Sequence, residues 1–100
     1  MRTRPSPGCA MKTVEIGNRF RRDMARRING TPLAAEFAEL LRLLASGTSL
    51  PASYRDHPLK GPWRGHRDCH LRGDVVLIYE RGETFVRLVR IGSHSELFGR

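Results

Sequence analysis

The spacing of apolar residues changes period along this chain, and each change marks a new element. Val14 and Ile16 alternate with polar neighbours, which predicts a strand over residues 12–16. From residue 18 the period lengthens. Phe20, Met24 and Ile28 fall on one stripe of a helix over residues 18–28, with Asn18 as its N-cap and arginines covering the remaining faces. Asn29, Gly30 and Thr31 supply a stop and a new cap, and Pro32 suits a first helical position. Leu33, Phe37, Leu40, Leu41 and Leu44 then recur at helical spacing up to an end near Ala45, before Gly47. So short a connection predicts a helical hairpin.

Pro51, Pro58, Gly61 and Pro62 make residues 46–62 an ordered but irregular connection. Beyond it the pattern is that of strands. Residues 64–71 can extend, 75–79 form a nearly continuous apolar run suited to a central strand, and 84–91 form a third strand after a glycine-containing turn at 81–83. The predicted fold is α+β, in the order β-α-α-β-β-β, with an antiparallel sheet and two helices packed on one face. Residues 1–11, with Pro5, Pro7 and Gly8 and no periodicity, read as a disordered leader, and residues 12–100 as a single domain.

Composition narrows the function. The chain has 18 Lys and Arg against 10 Asp and Glu, a formal charge of +8, and only Lys12 and Lys60 are lysines. Guanidinium pairs bidentately with phosphate oxygens and stacks on flat rings, so the partner implied is polyanionic; a basic face that only confers solubility is the plainer alternative. Cys9 and Cys69 are too few for a disulfide framework, and both are expected as free thiols. No segment approaches the ~18 continuous apolar residues of a membrane span, and no apolar stretch follows the basic N-terminus, so the chain reads as cytoplasmic.

All four histidines, His57, His66, His70 and His94, lie in the last 44 residues. On an extended strand His66, Asp68 and His70 point one way while Arg67, Cys69 and Leu71 point the other, leaving one face unusually polar. Asp74, after the Arg72-Gly73 turn, is expected at the sheet rim near His70, where it either orients an imidazole or simply caps a turn. Arg90 shares its parity with Val86 and Leu88, and Gly92 and Ser93 permit a bend returning His94 toward the same rim. A solvent-facing arginine at a strand end is the ordinary alternative.

These groups suit attack of an RNA 2′-hydroxyl on the adjacent phosphate, which needs a base, an acid and a fixed cation but no metal or other cofactor. Two other classes compete. One is a non-catalytic basic RNA- or DNA-binding module. The other is a metal-dependent hydrolase using His57, His66, His70 and Asp68 or Asp74, although no CxxC pair or HExxH helix supports it.

The run Leu50-Pro51-Ala52-Ser53-Tyr54-Arg55-Asp56-His57-Pro58-Leu59-Lys60-Gly61, then Trp63-Arg64-Gly65-His66-Arg67-Asp68-Cys69-His70, resembles the YafQ branch of the RelE toxin superfamily. Asp74 before Val75-Val76-Leu77-Ile78-Tyr79, and Val89-Arg90-Ile91-Gly92-Ser93-His94-Ser95-Glu96-Leu97-Phe98, resemble it in order and spacing. Two positions depart: His66 stands where relatives often carry an aromatic, and Val75 where some carry tryptophan. The resemblance implies a ribosome-dependent endoribonuclease of a type II toxin–antitoxin pair, cutting messenger RNA in the A site of the 70S ribosome. It implies neutralisation by a cognate antitoxin in a hetero-oligomer. It also implies His94 as general acid, His70 or Asp74 as base with the roles exchangeable, Arg90 as phosphate clamp and His57 as positioning group. Phe98 is implied as a stacking platform. Lys60, Arg64 and Trp63 are expected as further RNA contacts, with Trp63 either stacking on a base or anchoring the loop in the core.

Overall fold

The computed structural model describes residues 11–99; the expected leader, apart from Met11, and Cys9 with it, lie outside the described residues. The chain runs β1 (Thr13–Ile16), α1 (Asn18–Arg27), α2 (Leu33–Ser46), β2 (His57–Pro58), β3 (Arg67–His70), β4 (Val75–Arg81), β5 (Phe85–Ser93) and α3 (His94–Phe98). Short 3-10 turns at Ala52–Tyr54 and Gly61–Trp63 flank β2.

The sheet order is β1-β5-β4-β3-β2, and the predicted meander β3-β4-β5 is antiparallel as expected. Two details differ from the sequence reading. Strand β1 pairs parallel to β5, with Val14 opposite Val86, so the sheet is mixed. The irregular connection also contributes a fifth strand, because His57 and Pro58 pair antiparallel with Asp68 and Arg67. Two residues carry no readable period, which hid β2 in the sequence.

Helices α1 and α2 cover one face, as predicted. Phe20 from α1, Ile28 at its C-cap, and Phe37, Leu40 and Leu44 from α2 pack on Cys69, Leu77, Tyr79, Val86, Leu88 and Ile91 in one core. Asn18 is the first helical residue rather than a cap; Gly17 holds the cap position and, among the described residues, no side chain bonds there. The Thr31 hydroxyl does accept from the Leu33 amide at 3.1 Å. Gly47 closes α2 in the left-handed conformation (φ 77°), which glycine adopts without a Cβ penalty. Cys69 is a free thiol with no exposed surface, and burial raises its pKa, so it is an inert core side chain.

A bulge moves Arg90. Ile78 pairs with Arg90 and Tyr79 with Leu88, leaving Val89 as the extra residue, so Arg90 drops out of the Val86–Leu88 row that simple parity assigned it. Its guanidinium reaches Asp23 of α1 through Nε at 2.7 Å and a second nitrogen at 3.3 Å, and Asp23 also accepts the Ile91 amide at 3.1 Å. Asp23 is 5% exposed. Removing one partner of such a pair strands a desolvated charge. Asp23→Ala is therefore expected to lower unfolding free energy by about 3 kcal/mol, and denaturant titration of both proteins tests this; a change under about 1 kcal/mol would refute the pair's structural role.

Candidate active site

The sheet face opposite α1 and α2 has a second, smaller apolar cluster of Val76, Ile78 and Leu97, with Leu59, Trp63, Val89 and Phe98 against it. Strand alternation delivers this division. Cys69 enters the helix-side core, while Asp68 and His70 emerge on the other face opposite Ile78 and Val76. There they line an open cavity of about 860 Å³ together with Arg55, His57, Lys60 and Trp63 and with His94, Leu97 and Phe98 of α3.

Asp68 is the centre of this site and only 3% exposed. Its Oδ1 lies 3.0 Å from His57 Nδ1 and 3.9 Å from His70 Nε2, and the two imidazoles are near-parallel with centroids 6.3 Å apart. Burial raises the Asp68 pKa, opposed by the charges of His57, His70 and His94. Burial lowers that of His70, while Asp68 raises it and Arg55, His57 and His94 add to the lowering. His57 Nδ1 also lies 2.9 Å from the Arg55 carbonyl oxygen. A carbonyl only accepts, so Nδ1 carries the proton and donates, which in the neutral tautomer leaves the lone pair on Nε2. Among the described residues no hydrogen bond reaches Asp68 Oδ1, which leaves a buried acceptor facing the two rings.

His94 is exposed at the start of α3, its ring 4.7 Å from that of Phe98. A capping box fixes the helix: Ser93 Oγ accepts from the Glu96 amide at 3.2 Å and Glu96 Oε1 accepts from the Ser93 amide at 2.9 Å. Glu96 also binds Arg26 and Arg27 of α1, and the Ser93 amide with Arg27 holds its carboxyl down at about 2.

The remaining expected site residues lie elsewhere. The Asp74 carboxylate is exposed, outside the cavity wall and without a hydrogen bond among the described residues; its backbone oxygen accepts from the His94 amide at 3.2 Å. Arg90 is engaged by Asp23 and does not line the cavity. Arg64 is exposed outside the wall, whereas Lys60 and Trp63 line it. His66 turns away from the other rings, 3.7 Å from Glu80 and edge-on to Trp63 at 5.2 Å. Asp68, weighed from sequence only as a candidate metal ligand, and Arg55, given no site role there, belong to the wall; the polar parity of Asp68 was the available signal.

Among the described residues His57, Asp68 and His70 are the one group whose nitrogen and oxygen atoms, all within 4.8 Å of one another, could hold a metal ion. They supply two imidazoles and one carboxylate. His66 and Asp74, considered with them from sequence, are not part of it.

Fold and sequence together place this chain among the bacterial toxins of type II toxin–antitoxin systems. A family model described as the bacterial toxin of a type II toxin–antitoxin system, YafQ, matches residues 12–99, and the chain belongs to that family. It is 35% identical over 89 residues to the mRNA interferase toxin YafQ of Escherichia coli strain B / BL21-DE3, covering 88% of this chain and 97% of that protein. The match to the YafQ of Escherichia coli strain K12 is 48% over 61 residues, 60% of this chain and 66% of the relative. The Escherichia coli YafQ in its complex with DinJ superposes with TM-score 0.76 at 34% identity, over 89% of this chain and 99% of that one. A metal-bound toxin from Helicobacter pylori superposes with TM-score 0.76 at 40% identity, over 88% of this chain and all of that one. No helix of the described residues is long and apolar enough to cross a membrane.

Because Ser93 caps the helix bearing His94 and Phe98, Ser93→Ala is expected to cost about 1 kcal/mol, concentrated in α3. Amide hydrogen exchange should show faster opening of residues 94–98 with β4 protection unchanged; equal loosening throughout would contradict a local cap.

Proposed function

We propose that this toxin is a ribosome-dependent endoribonuclease that cuts messenger RNA without a metal, and that a cognate antitoxin holds it inactive in a hetero-oligomer. The observation that carries the reading is the convergence of His57, His70 and His94 on one open cavity around the buried Asp68. The relatives named mRNA interferases and the DinJ complex of one of them support the class of substrate and partner.

In the proposed reaction a base removes the 2′-hydroxyl proton, the 2′-oxygen attacks phosphorus, and the bond to the 5′-oxygen breaks as an acid protonates it. The products are a 2′,3′-cyclic phosphate and a 5′-hydroxyl. His70 is the base we favour over Asp74, because it lines the cavity and its lowered pKa keeps it neutral, whereas the Asp74 carboxylate lies outside the wall. His57 presents a bare Nε2 beside it and is positioned to share that role. The nearby Asp68 carboxylate stabilises the imidazolium that forms. His94, on α3 at the same cavity, is the acid, and Phe98 beside it is a surface for base stacking.

His94→Ala is expected to slow cleavage of a translated message by roughly 10²- to 10⁴-fold. End mapping of the wild-type products should show cyclic phosphates; intact message with the wild-type protein, or linear 3′-phosphates formed without a cyclic precursor, would defeat the reading. Elemental analysis of the purified active protein should find no stoichiometric metal.

The base requirement also sets a pH dependence. His70, with its pKa below the ordinary ~6.5, loses its proton before a free imidazole does as pH rises. The acid limb of the single-turnover rate is therefore expected below pH ~6.5 and should be lost as pH falls further. A limb above that value would remove His70 from the role.

A further inference from the structure

The proposed reaction needs a cation on the phosphate, and Arg90 is engaged elsewhere. Of the basic side chains, the cavity wall contains Arg55 and Lys60. Arg55 is exposed and, among the described residues, forms no ion pair, in contrast to its near neighbour Arg67, which is spent on Asp56 at 3.0 Å.

Its backbone is equally unusual. Arg55 is the one described non-glycine residue with positive φ, at 52°, a conformation that crowds Cβ against the backbone. Anchors on both sides impose it. Tyr54 packs on the helix-side core, and Asp56 accepts hydrogen bonds from Tyr79 Oη at 2.5 Å and from two Arg67 nitrogens at 3.0 and 3.2 Å. Held between them, residue 55 directs its carbonyl to His57 Nδ1 while its side chain joins the cavity wall. A strained conformation kept at a ligand cavity by an arginine, where glycine would fit without strain, calls for a use of the side chain.

We propose that Arg55 is the guanidinium that binds the scissile phosphate, with Arg90 serving instead to lock α1 onto β5 through Asp23. The inference rests on the nuclease reading above. A planar fork on the wall beside His57 can donate two hydrogen bonds to the non-bridging oxygens as charge builds on them. The charge of Arg55 also acts on His70, helping to hold that base neutral before reaction.

The experiment compares single-turnover cleavage of a translated message by wild type, Arg55→Gly, Arg55→Gln and Arg55→Lys, with thermal unfolding of each. Gly and Gln are expected to slow cleavage by about 100-fold, and Lys, which keeps the charge but not the fork, to recover part of it. The thermal midpoint of Arg55→Gly should not fall, since glycine relieves the backbone. In the full-length wild-type protein, titration with inorganic phosphate should shift the Arg55 Nε–Hε resonance and leave that of Arg90 unmoved. Cleavage by Arg55→Gln within about twofold of wild type would overturn the assignment while leaving the nuclease reading intact. So would phosphate shifts at Arg90 alone, or activity lost only in step with the thermal midpoint. Wild-type protein that leaves the message uncut would bring down both.

Discussion

Everything in this molecule depends on strict alternation along β3. Asp68 and Cys69 are neighbours in sequence and both buried, yet one belongs to a polar site and the other to an apolar core. A slip of one residue would drive the carboxylate among Phe37, Leu40 and Leu44 and turn the thiol toward His57. The pairing Asp68–Ile78 and Cys69–Leu77 prevents that, because β4 is buried on both faces and its hydrophobic residues fix the register from either side. The chemistry of the site is thus secured by the apolar strand beside it.

Three carboxylates then place the parts that β3 cannot reach. Asp56 ties the loop before β2 to Arg67 and Tyr79, Asp23 ties α1 to the end of β5, and Glu96 ties α3 both to its own cap and to Arg26 and Arg27. Each link spans 11 residues or more except the cap, so each joins segments that local structure leaves independent. The exposed pairs contribute little stability individually, but they restrict orientation. They also consume guanidinium groups, which is why a chain so rich in arginine leaves few of them free at the cavity.

The sequence made the periodic parts of the fold legible, and the reason is physical. Helices α1 and α2 and the β3-β4-β5 meander each bury a face, and burial leaves its period in the order of residues. Strand β1 was readable by its alternation, although its direction relative to β5 was not. The two-residue β2 and the bulge at Val89 left no period to read, and the bulge is what misdirected the parity argument for Arg90. At the site, the histidines were legible by type and by their resemblance to a family. The buried carboxylate that organises two of them, and the pairing that takes Arg90 off the wall, depend on partners 11 and 67 residues away in sequence. Such partners carry no local signal.

On the proposed reading, the arrangement of the imidazoles also bears on how acid and base are kept apart. His57 and His70 flank one carboxylate, and a proton on His70 is stabilised by Asp68 but opposed by charge on His57. His70 is therefore ready to accept a proton while it carries none. Among the described residues His94 makes no contact with that carboxylate, although its charge acts on both Asp68 and His70, and it stands on a separate helix at the same cavity. On the proposed reading, a proton can therefore enter at the paired rings and leave from the third without either event waiting on a common hydrogen bond. The division of labour follows from attaching two imidazoles to the sheet and one to a capped helix, which is a property of the fold before it is a property of any single residue.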